Sequence, residues 1–454
     1  MRTILILVLS IAFLNVKAQE SLKAYIDTAL QNNLVLQQRH VSFDKAVTAL
    51  KSAKSLYLPS VNLEAGYQTA DGGRNIPLPI GDLLNPVYTT LNQLTQSNQF
   101  PTIENETINF LPRNYYDAHI RTTMPLINTD IGHNKRIHEF QVRLSELDVD
   151  TYKRELVKEI KVAYFGYLGA VQSVAVYQSA LALAEEGRRA NERLVEHGKG
   201  LPAYVLRSES EVAAAEAAVT GAEQQVKNAK YYFNSLLNRD AEAGIDTVFD
   251  SDDALLAVAG LLHGDAQPNA SREELQALAT AVSIRETAVK MDKQYAVPTL
   301  NAFLDLGSQS EGFRFNGQTS YYMAGLQLTF PIFNGNRHRY KAQQSQLDLR
   351  NAQLQLAEAN RQLQLSHSVA LNGLRSAWQH YEAAKRQLAA AQAYQRLIGK
   401  GYQAGTNSYI ETVDARNQYT SARLALSVST YRVLSAAATV EREQASYPLT
   451  TTIN

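Results

Sequence analysis

The chain has 454 residues, of which 45% are hydrophobic and 19% are charged, and it contains no cysteine. The lack of cysteine excludes disulfides, thiolate metal sites, cysteine nucleophiles and lipidation through cysteine. The 44 basic and 44 acidic side chains cancel, which argues against a general nucleic-acid-binding surface. We therefore expect no nucleic acid among the partners of this protein.

The N-terminal residues have the pattern of a secretory signal. Arg2 precedes an apolar run over residues 4–14, and Ala18 provides a small residue at the cleavage position. The apolar run is shorter than the roughly 20 residues that span a bilayer, and no later segment is apolar enough for a transmembrane helix. The sequence predicts that residues 1–18 are removed and that the mature protein is exported.

Four stretches of about ten residues alternate between apolar and polar side chains, as β-strands that cross a membrane do. They follow a predicted pair of N-terminal helices and are, in chain order, 61–68, 115–126, 299–307 and 321–330. A soluble β-sandwich shows the same alternation, but here the strands come in two pairs, each followed by a very long helical pattern. Four strands cannot close a barrel with an open lumen, and lipid does not tolerate open sheet edges. If these strands span a membrane, several protomers must share one barrel.

The segment between the first two strands, residues 71–113, is rich in Pro, Asn, Gln and Thr and is predicted to be a long surface loop. Two helical stretches, from about 130 to 196 and from about 336 to 403, contain no proline. At 1.5 Å per residue each would be roughly 100 Å long. A compact domain needs no helix of that length.

A heptad seam with many small residues follows the first long helix. Its residues are Val205, Ser208, Val212, Ala215, Val219, Ala222, Val226, Ala229, Phe233 and Leu236. The seam returns 207 residues later as Thr412, Ala415, Tyr419, Ala422, Leu426, Ser429, Val433, Ala436 and Val440. A glycine precedes each copy, Gly198 in the first and Gly405 in the second. The chain is therefore predicted to be an internal duplication.

These patterns divide the chain into nine predicted segments. They are a signal peptide (1–18), N-terminal helices (19–58), strands with a long loop (59–126), a long helical hairpin with its tip near 198–203 (127–239), an irregular link (240–270), a helix (271–297), a second strand pair (298–331), a second long hairpin with its tip near 404–409 (332–443) and a C-terminal tail (444–454).

The duplicated order of these segments resembles the outer-membrane efflux protein family, the TolC-like export channels. Prolines enter the first strand of each pair, at Pro59 and Pro298. The other motifs that carry the resemblance are Met124-Pro125-Leu126-Ile127-Asn128, Phe330-Pro331-Ile332-Phe333-Asn334-Gly335 and Tyr402-Gln403-Ala404-Gly405-Thr406, the last followed by Val413-Asp414-Ala415. Each motif is weak alone, but their duplicated order covers essentially the whole mature chain.

The resemblance implies a mixed α-helical and β transmembrane fold, assembled as a homotrimer. Each protomer would give four strands to a twelve-stranded barrel in contact with the lipid of the Gram-negative outer membrane, and a coiled-coil α-barrel would continue through the periplasm. The implied function is a passive duct for efflux or type I secretion, with a periplasmic adaptor (membrane fusion) protein and an inner-membrane pump as partners. The alternative is a trimeric coiled-coil surface fibre or adhesin, which conductance in a planar bilayer would distinguish from a duct.

The resemblance also implies two sets of functional residues at the helical tips. Residues implied in adaptor docking are Gly198, Leu201, Pro202, Gly405, Thr406 and Ser408, and residues implied in the pore gate are Glu411, Asp414, Tyr402 and Asn407. Carboxylates at a helix start also suit capping and the helix dipole, so both explanations remain open for Glu411 and Asp414. Asn407 stands where the family can have an arginine, and Tyr204 where it can have an acid. A closing ion pair at these positions is therefore absent or replaced.

Residues for catalysis or cofactor binding are not evident. His133 and His138 are five residues apart, whereas two zinc ligands on one helix face are four apart. The aspartates at 250, 252 and 253 lack the glycine and terminal glutamate of a calcium hand, and there is no phosphate-binding Gly-Lys-Ser/Thr loop. We expect no enzymatic activity, no cofactor and no metal.

Overall fold

The computed structural model describes residues 21–111, 113–262 and 272–449. The predicted signal peptide, residues 263–271 and the last five residues of the tail lie outside these ranges. The described chain forms two compact units. The sheet unit contains Ala49–His138 and Glu286–Gln346, and the helical unit contains the remaining described residues.

The fold is mixed, with long helices and one main sheet. The helices in chain order are α1 (described over 21–32), α2 (Leu34–Ser55), α3 (Ile80–Thr95), α4 (Thr129–Glu196), α5 (Pro202–Leu236), α6 (Ser251–Leu262), α7 (Glu273–Lys293), α8 (Arg337–Gln403) and α9 (Tyr409–Gln444). The strands are β1 (Ser60–Gln68), β2 (Asn75–Leu78), β3 (Glu106–Asn109), β4 (Tyr115–Ile127), β5 (Thr299–Glu311) and β6 (Ser320–Thr329). Among the described helices, none combines the length and the apolar character needed to cross a membrane.

The predicted break between the N-terminal helices is confirmed at Asn33. Its side-chain oxygen accepts a hydrogen bond from the Leu36 backbone N–H at 3.0 Å, which caps the start of α2. Its amide donates to the Leu236 carbonyl at 3.0 Å, at the end of α5. Asn33 therefore separates α1 from α2, caps the start of α2 and links it to the end of α5.

Aromatic side chains form the centre of the helical unit. Tyr164 on α4 is fully buried, and its ring lies 6.0 Å from that of Tyr25 and 5.8 Å from that of Phe233. The Tyr164 hydroxyl donates to the Asp246 carbonyl at 3.0 Å, so the buried polar group is paired. Burial raises the pKa of Tyr164 to about 12. This cluster joins α1, α4 and α5 with the link that follows α5.

The two heptad seams predicted from the sequence are buried or half-buried at every position. In α5, Ser208, Ala222 and Phe233 are buried, whereas Leu206, outside the seam, is 68% exposed. The seam of α9 is buried in the same way, with Ala422 and Val433 fully covered. Small seam residues let neighbouring backbones approach closely, as the heptad pattern requires. The internal duplication is therefore visible in the packing as well as in the sequence.

A network of ion pairs fastens α7 to the end of α9 in the helical unit. Arg272 is 2% exposed, and its guanidinium binds Glu274 at 2.9 Å and Glu443 at 2.8 Å. Arg442 also binds Glu274, at 2.9 Å. Burial raises the pKa of Glu274, but the two guanidiniums and its own backbone N–H outweigh burial and hold that pKa below its usual range. The carboxylate stays ionised and paired.

The main sheet lies in the sheet unit, with antiparallel strands in the order β1-β4-β5-β6. Leu63, Ile120, Leu306 and Tyr322 are directly opposite one another in a row across all four strands, and each is 48% to 79% exposed. The alternate face is polar and carries a bidentate pair between Arg121 and Asp305, at 2.7 and 2.8 Å. The predicted alternation is confirmed, and the exposed face is the apolar one.

Close approach on the polar face of the sheet requires glycine. A methyl group added at Gly307 would collide with the side chain of His119 and the carbonyl of Ala118 on the neighbouring strand. Gly325 similarly leaves room for the ring of Phe303. Large and small residues therefore alternate across the strands of this face.

The segment 71–113 is more ordered in its local structure than the predicted loop. It contains the helix α3 and a small antiparallel sheet of β2 and β3. The helix begins after Pro79 and includes Pro86, residues that suggest turns when they are read from sequence alone. The predicted long surface loop therefore contains regular structure that the sequence analysis did not anticipate.

Replacing Arg272 with Met should lower the free energy of unfolding by about 3 kcal/mol, because it removes the nearer cation of Glu443 and leaves that half-buried carboxylate with Arg442 at 3.5 Å. Urea unfolding of the purified protein, followed by circular dichroism, would measure the change. The matched control is Arg39→Met, which breaks a pair with Asp148 whose side chains are 40% and 48% exposed. That loss should be below about 1 kcal/mol. Equal losses in the two variants would contradict the importance given to the buried network.

Candidate gate at the helical tips

The two helical hairpins of the helical unit turn through the same backbone motif. Gly198 has φ of 70°, its N–H donates to the Val195 carbonyl, and the Lys199 N–H donates to the Leu194 carbonyl. At the second tip Gly405 has φ of 75° and makes the corresponding bond to Tyr402. These are Schellman motifs, in which the left-handed position favours glycine because glycine has no Cβ. The predicted role of both glycines in turning the chain is confirmed.

The two tips begin their second helices differently. At the first tip Leu201 precedes α5 without a side-chain hydrogen bond, and Pro202 occupies the first helical turn. Proline suits that position because its missing N–H would have no helical partner. At the second tip Ser408 forms a capping box with Glu411. The duplication thus kept the turn and changed the cap.

Glu411 is engaged by the chain that precedes it. Its carboxylate accepts the Ser408 backbone N–H at 2.6 Å and the Asn407 amide at 3.2 Å. These hydrogen bonds, the backbone one first, hold the pKa of Glu411 below its usual range. Of the two roles left open by the sequence, capping is confirmed for Glu411. A role in lining the pore stays a prediction.

Asp414 lies one turn further along α9 and has different contacts. Its carboxylate accepts a hydrogen bond from the Gln418 amide at 2.8 Å, and the residue is exposed. Gln418 lies further along α9, whereas the partners of Glu411 precede the helix. The two carboxylates are therefore close along the helix but belong to separate hydrogen-bonded groups.

Asn191 links the two tips and is 2% exposed. The Tyr402 hydroxyl, near the end of α8, donates to the Asn191 side-chain oxygen at 3.0 Å. The Asn191 amide donates to the Tyr204 carbonyl, at the start of α5, at 3.3 Å. One side chain on α4 thus joins α8 and α5 through hydrogen bonds to neutral groups.

Three tyrosines pack together beside Asn191. The ring of Tyr409, which is 1% exposed, lies 5.4 Å from that of Tyr204 and 6.0 Å from that of Tyr402. Its hydroxyl donates to a Glu211 carboxylate oxygen at 3.3 Å. Burial is the main reason that the pKa values of Tyr402 and Tyr409 are raised. Both phenols are therefore neutral hydrogen-bond donors at physiological pH.

Arg416 on α9 supplies the positive charge of this cluster. Its guanidinium lies against Gly187 on α4, where an added methyl group would collide with it. The charge counteracts part of the rise in the pKa of Tyr402 and Tyr409. The Nη1 atom is buried without a hydrogen-bond partner. Glycine at 187 thus leaves room for the Arg416 guanidinium, which would have to move if a larger residue stood there.

Comparison with the sequences of known families identifies the family of this chain. The family profile described as "Outer membrane efflux protein" matches residues 25–239 and 267–442, which is most of the chain and includes both tips. The chain belongs to the outer membrane efflux protein family. It is therefore an outer-membrane efflux channel. Comparison with curated proteins finds no significant match.

Solved structures of several outer-membrane channels share the fold of this efflux protein. CmeC of Campylobacter jejuni matches at 14% identity over 94% of this chain and 85% of its own, with a TM-score of 0.73. VceC of Vibrio cholerae matches at 13% identity over 94% and 97%, with a TM-score of 0.72. The open-state structure of MtrE of Neisseria gonorrhoeae matches at 16% identity over 93% and 88%, with a TM-score of 0.71. At these identities the likeness establishes the fold alone.

The remaining candidate residues of the efflux protein have local structural contacts. The Asp250 carboxylate accepts the backbone N–H groups of Asp252 and Asp253, both at 3.0 Å, and so caps α6. His133 is hydrogen-bonded to the Gln294 side chain at 2.7 Å. Within residues 21–111, 113–262 and 272–449, no group of three or more His, Cys, Asp or Glu side chains is arranged to hold a metal.

The sequence missed the residues that join the tips of this channel. Asn191, Glu211 and Arg416 lie within long helices, and no local pattern marks them. Tyr409 directly follows the cap residue Ser408, but its burial depends on α5 and α8. Only the packing of four helices brings these side chains together.

Replacing Asn191 with Leu should loosen both tips, because it leaves the Tyr402 hydroxyl without its acceptor and removes the side-chain hydrogen bond to the Tyr204 carbonyl, at a cost of about 2 kcal/mol. Tyr402→Phe removes one hydrogen bond and should cost about 1 kcal/mol. Hydrogen exchange measured by mass spectrometry should be faster at the backbone of both tips in each variant. Tyr394→Phe, on α8 away from this cluster, is the control and should exchange like the wild type. Unchanged tip exchange in Asn191→Leu would contradict the link.

Proposed function

We propose that three copies of this efflux channel share one twelve-stranded barrel and form a passive duct. The main support is the described sheet, in which β1 pairs only with β4 and β6 only with β5. Its two outer strands therefore have free N–H and C=O groups, and its apolar face is exposed. Such edges are not tolerated in lipid, and pairing β1 of one copy with β6 of the next satisfies both.

The two faces of the sheet suit opposite sides of such a barrel. The apolar face, with Leu63 and Ile120, would contact lipid. The polar face, with Glu64, Arg121 and Asp305, would line a water-filled lumen. This arrangement follows the alternation of other outer-membrane barrels.

Ile120→Arg should destabilise the barrel by about 2 to 4 kcal/mol, because it moves a charge into the lipid-facing band near mid-membrane. Thr123→Arg, on the polar face of the same strand, should be tolerated. The readout is the yield of trimer that survives SDS on a gel, with both variants expressed at equal level. Loss of trimer in Thr123→Arg with normal yield in Ile120→Arg would invert the assignment of the two faces.

Exposed apolar residues on α8 support a ring of helices formed by several copies. Leu347, Leu354 and Leu365 are 69%, 60% and 56% exposed and are separated by seven and eleven residues. These intervals place them on one side of the helix. Long helices with such a stripe and a buried seam on another side need two sets of neighbours. Packing against adjacent copies would cover the stripe and enclose a tunnel.

The tips are proposed to be the docking surface for a periplasmic adaptor. The six residues implied by the family resemblance are all exposed, namely Gly198, Leu201, Pro202, Gly405, Thr406 and Ser408. Leu201 and Ile410 add side chains that are 57% and 65% exposed. Exposed apolar side chains beside a glycine turn could pack against a helical hairpin of the adaptor. Energy would come from an inner-membrane pump.

The resting latch is proposed to be the link from Tyr402 through Asn191 to Tyr204. Asn407 cannot form an ion pair, and its amide supports the Glu411 cap instead. A latch made of neutral hydrogen bonds would respond weakly to salt, in contrast to a latch made of ion pairs. Below it, Glu411 and Asp414 from three copies would form two carboxylate rings in the constricted pore.

Replacing both carboxylates by Glu411→Gln and Asp414→Asn should remove cation selectivity and block by multivalent cations added on the periplasmic side. Gln keeps the acceptor that the capping box needs, so the variant tests charge without removing the cap. Single-channel recording in a planar bilayer is the measurement. Glu209→Gln, an exposed carboxylate on α5, is the control. Unchanged block in the double variant would exclude these carboxylates from the pore, and no conductance in the wild type would favour a surface fibre.

A further inference from the structure

The helix α3 in the sheet unit has its polar side packed and its apolar side exposed. Asn85 exchanges two hydrogen bonds with the backbone of Ile103, both at 2.9 Å. Asn92 exchanges two with the backbone of Phe100, at 2.8 and 3.1 Å. These amides hold the helix to the returning chain. In an amphipathic helix that covers a hydrophobic core, the apolar side is packed and the polar side is exposed. In α3 the two sides have the opposite arrangement.

Gly81 confirms which side of α3 faces the chain. A methyl group added there would collide with the Ile103 carbonyl and approach the Asn105 side chain at 3.1 Å. The carboxylate of Asp82 accepts a hydrogen bond from Asn105 at 3.0 Å. At 100° per residue, Gly81, Asn85 and Asn92 lie within about 40° of one another around the helix. This side is closed by close backbone contact.

The opposite side of α3 is an apolar stripe of Leu83, Val87 and Leu94. Their side chains are 69%, 52% and 76% exposed. They lie within about 40° of one another around the helix, and Leu84 and Leu91 flank them. Three large apolar side chains on one helical face, each more than half exposed, indicate a surface for packing.

Charge argues against lipid headgroups as the occupant of this surface. Residues 71–113 carry four acidic side chains, at 71, 82, 104 and 106, against two arginines, at 74 and 113, and the helix α3 itself contains no Lys or Arg. Helices that lie on a membrane surface carry basic residues on the polar face, where they meet anionic lipid. An acidic insert would be repelled by phosphate groups. A protein surface is the better match.

The place where the segment between β1 and β4 leaves the sheet indicates which protein surface covers the stripe. The segment leaves directly from the end of β1, the outer strand with a free edge, and returns directly into β4. In the proposed trimer this edge joins the neighbouring copy, so the insert emerges beside the junction. We propose that the stripe of Leu83, Val87 and Leu94 packs against a second copy of this chain at the outer mouth of the barrel. The inference rests on the proposed trimer.

A photo-crosslinking residue, p-benzoylphenylalanine, placed at Leu94 would test the contact in the purified full-length channel. Irradiation should give an adduct of twice the chain mass, and mass spectrometry should locate it on a second copy. Thr89 is the matched control, because it is exposed on the same helix about 140° around from Leu94. The same residue at Thr89 should give no such adduct.

The assembly is checked separately, by light scattering of the unirradiated channel. A trimer that gives the Leu94 adduct supports the inference. A trimer in which Leu94 captures lipid, another protein in cells, or nothing overturns it while leaving the duct intact. A monomer would refute the proposed assembly itself. A second variant, Leu83→Gln with Leu94→Gln, should lower the temperature at which the trimer dissociates in SDS, whereas Thr89→Gln should not.

Discussion

The two free edges of the four-stranded sheet constrain everything else in this protein. Each edge carries backbone N–H and C=O groups, and the sheet between them has an exposed apolar face. Exposure of that apolar face to water is unfavourable, and exposure of the unpaired backbone groups at the edges to lipid is also unfavourable. One copy cannot satisfy both conditions, because four strands are too few to close on themselves around a lumen. In a membrane such a sheet is stable only as part of a larger closed sheet, and this is the physical reason for the shared barrel proposed above.

The helical unit meets a related constraint with different chemistry. Its seams alternate small and large residues, so α5 and α9 each pack closely on one side, while α8 keeps leucines exposed on another. The interior of the helical unit is filled by aromatic rings around Tyr164 and by ion pairs around Arg272. A buried charge is tolerated only with its partners, so this network favours one arrangement of α7 and α9 over others. Contacts within one copy therefore fix the arrangement of its helices, while the exposed leucines of α8 remain uncovered in that copy.

Much of this fold could be predicted, because its periodic segments are long. The second strand, predicted over 115–126, is observed as Tyr115–Ile127, and the long helix predicted from about 130 to 196 is observed as Thr129–Glu196. Alternation and heptads repeat often enough to outweigh local exceptions. The helix α3 was missed because Pro79, Pro86 and the polar composition around them indicated a loop, although Leu83, Val87 and Leu94 repeat at helical spacing. Asn191 was missed because its partners are 13 and 211 residues away, which leaves no local pattern.

The comparison of the two tips separates what the duplication preserved from what it allowed to change. The turn depends on backbone geometry, so a left-handed glycine is found in both copies, at Gly198 and Gly405. The cap depends on side chains, and only the second copy has one. Because Glu411 fastens the start of α9 to Ser408, its carboxylate is oriented by the cap and remains ionised. Opening of the pore that required this turn to unfold would have to break the capping box and the Schellman motif together. Movement of α8 and α9 as intact helices breaks neither, but it does have to break the link through Asn191 and the hydrogen bond from Tyr409 to Glu211.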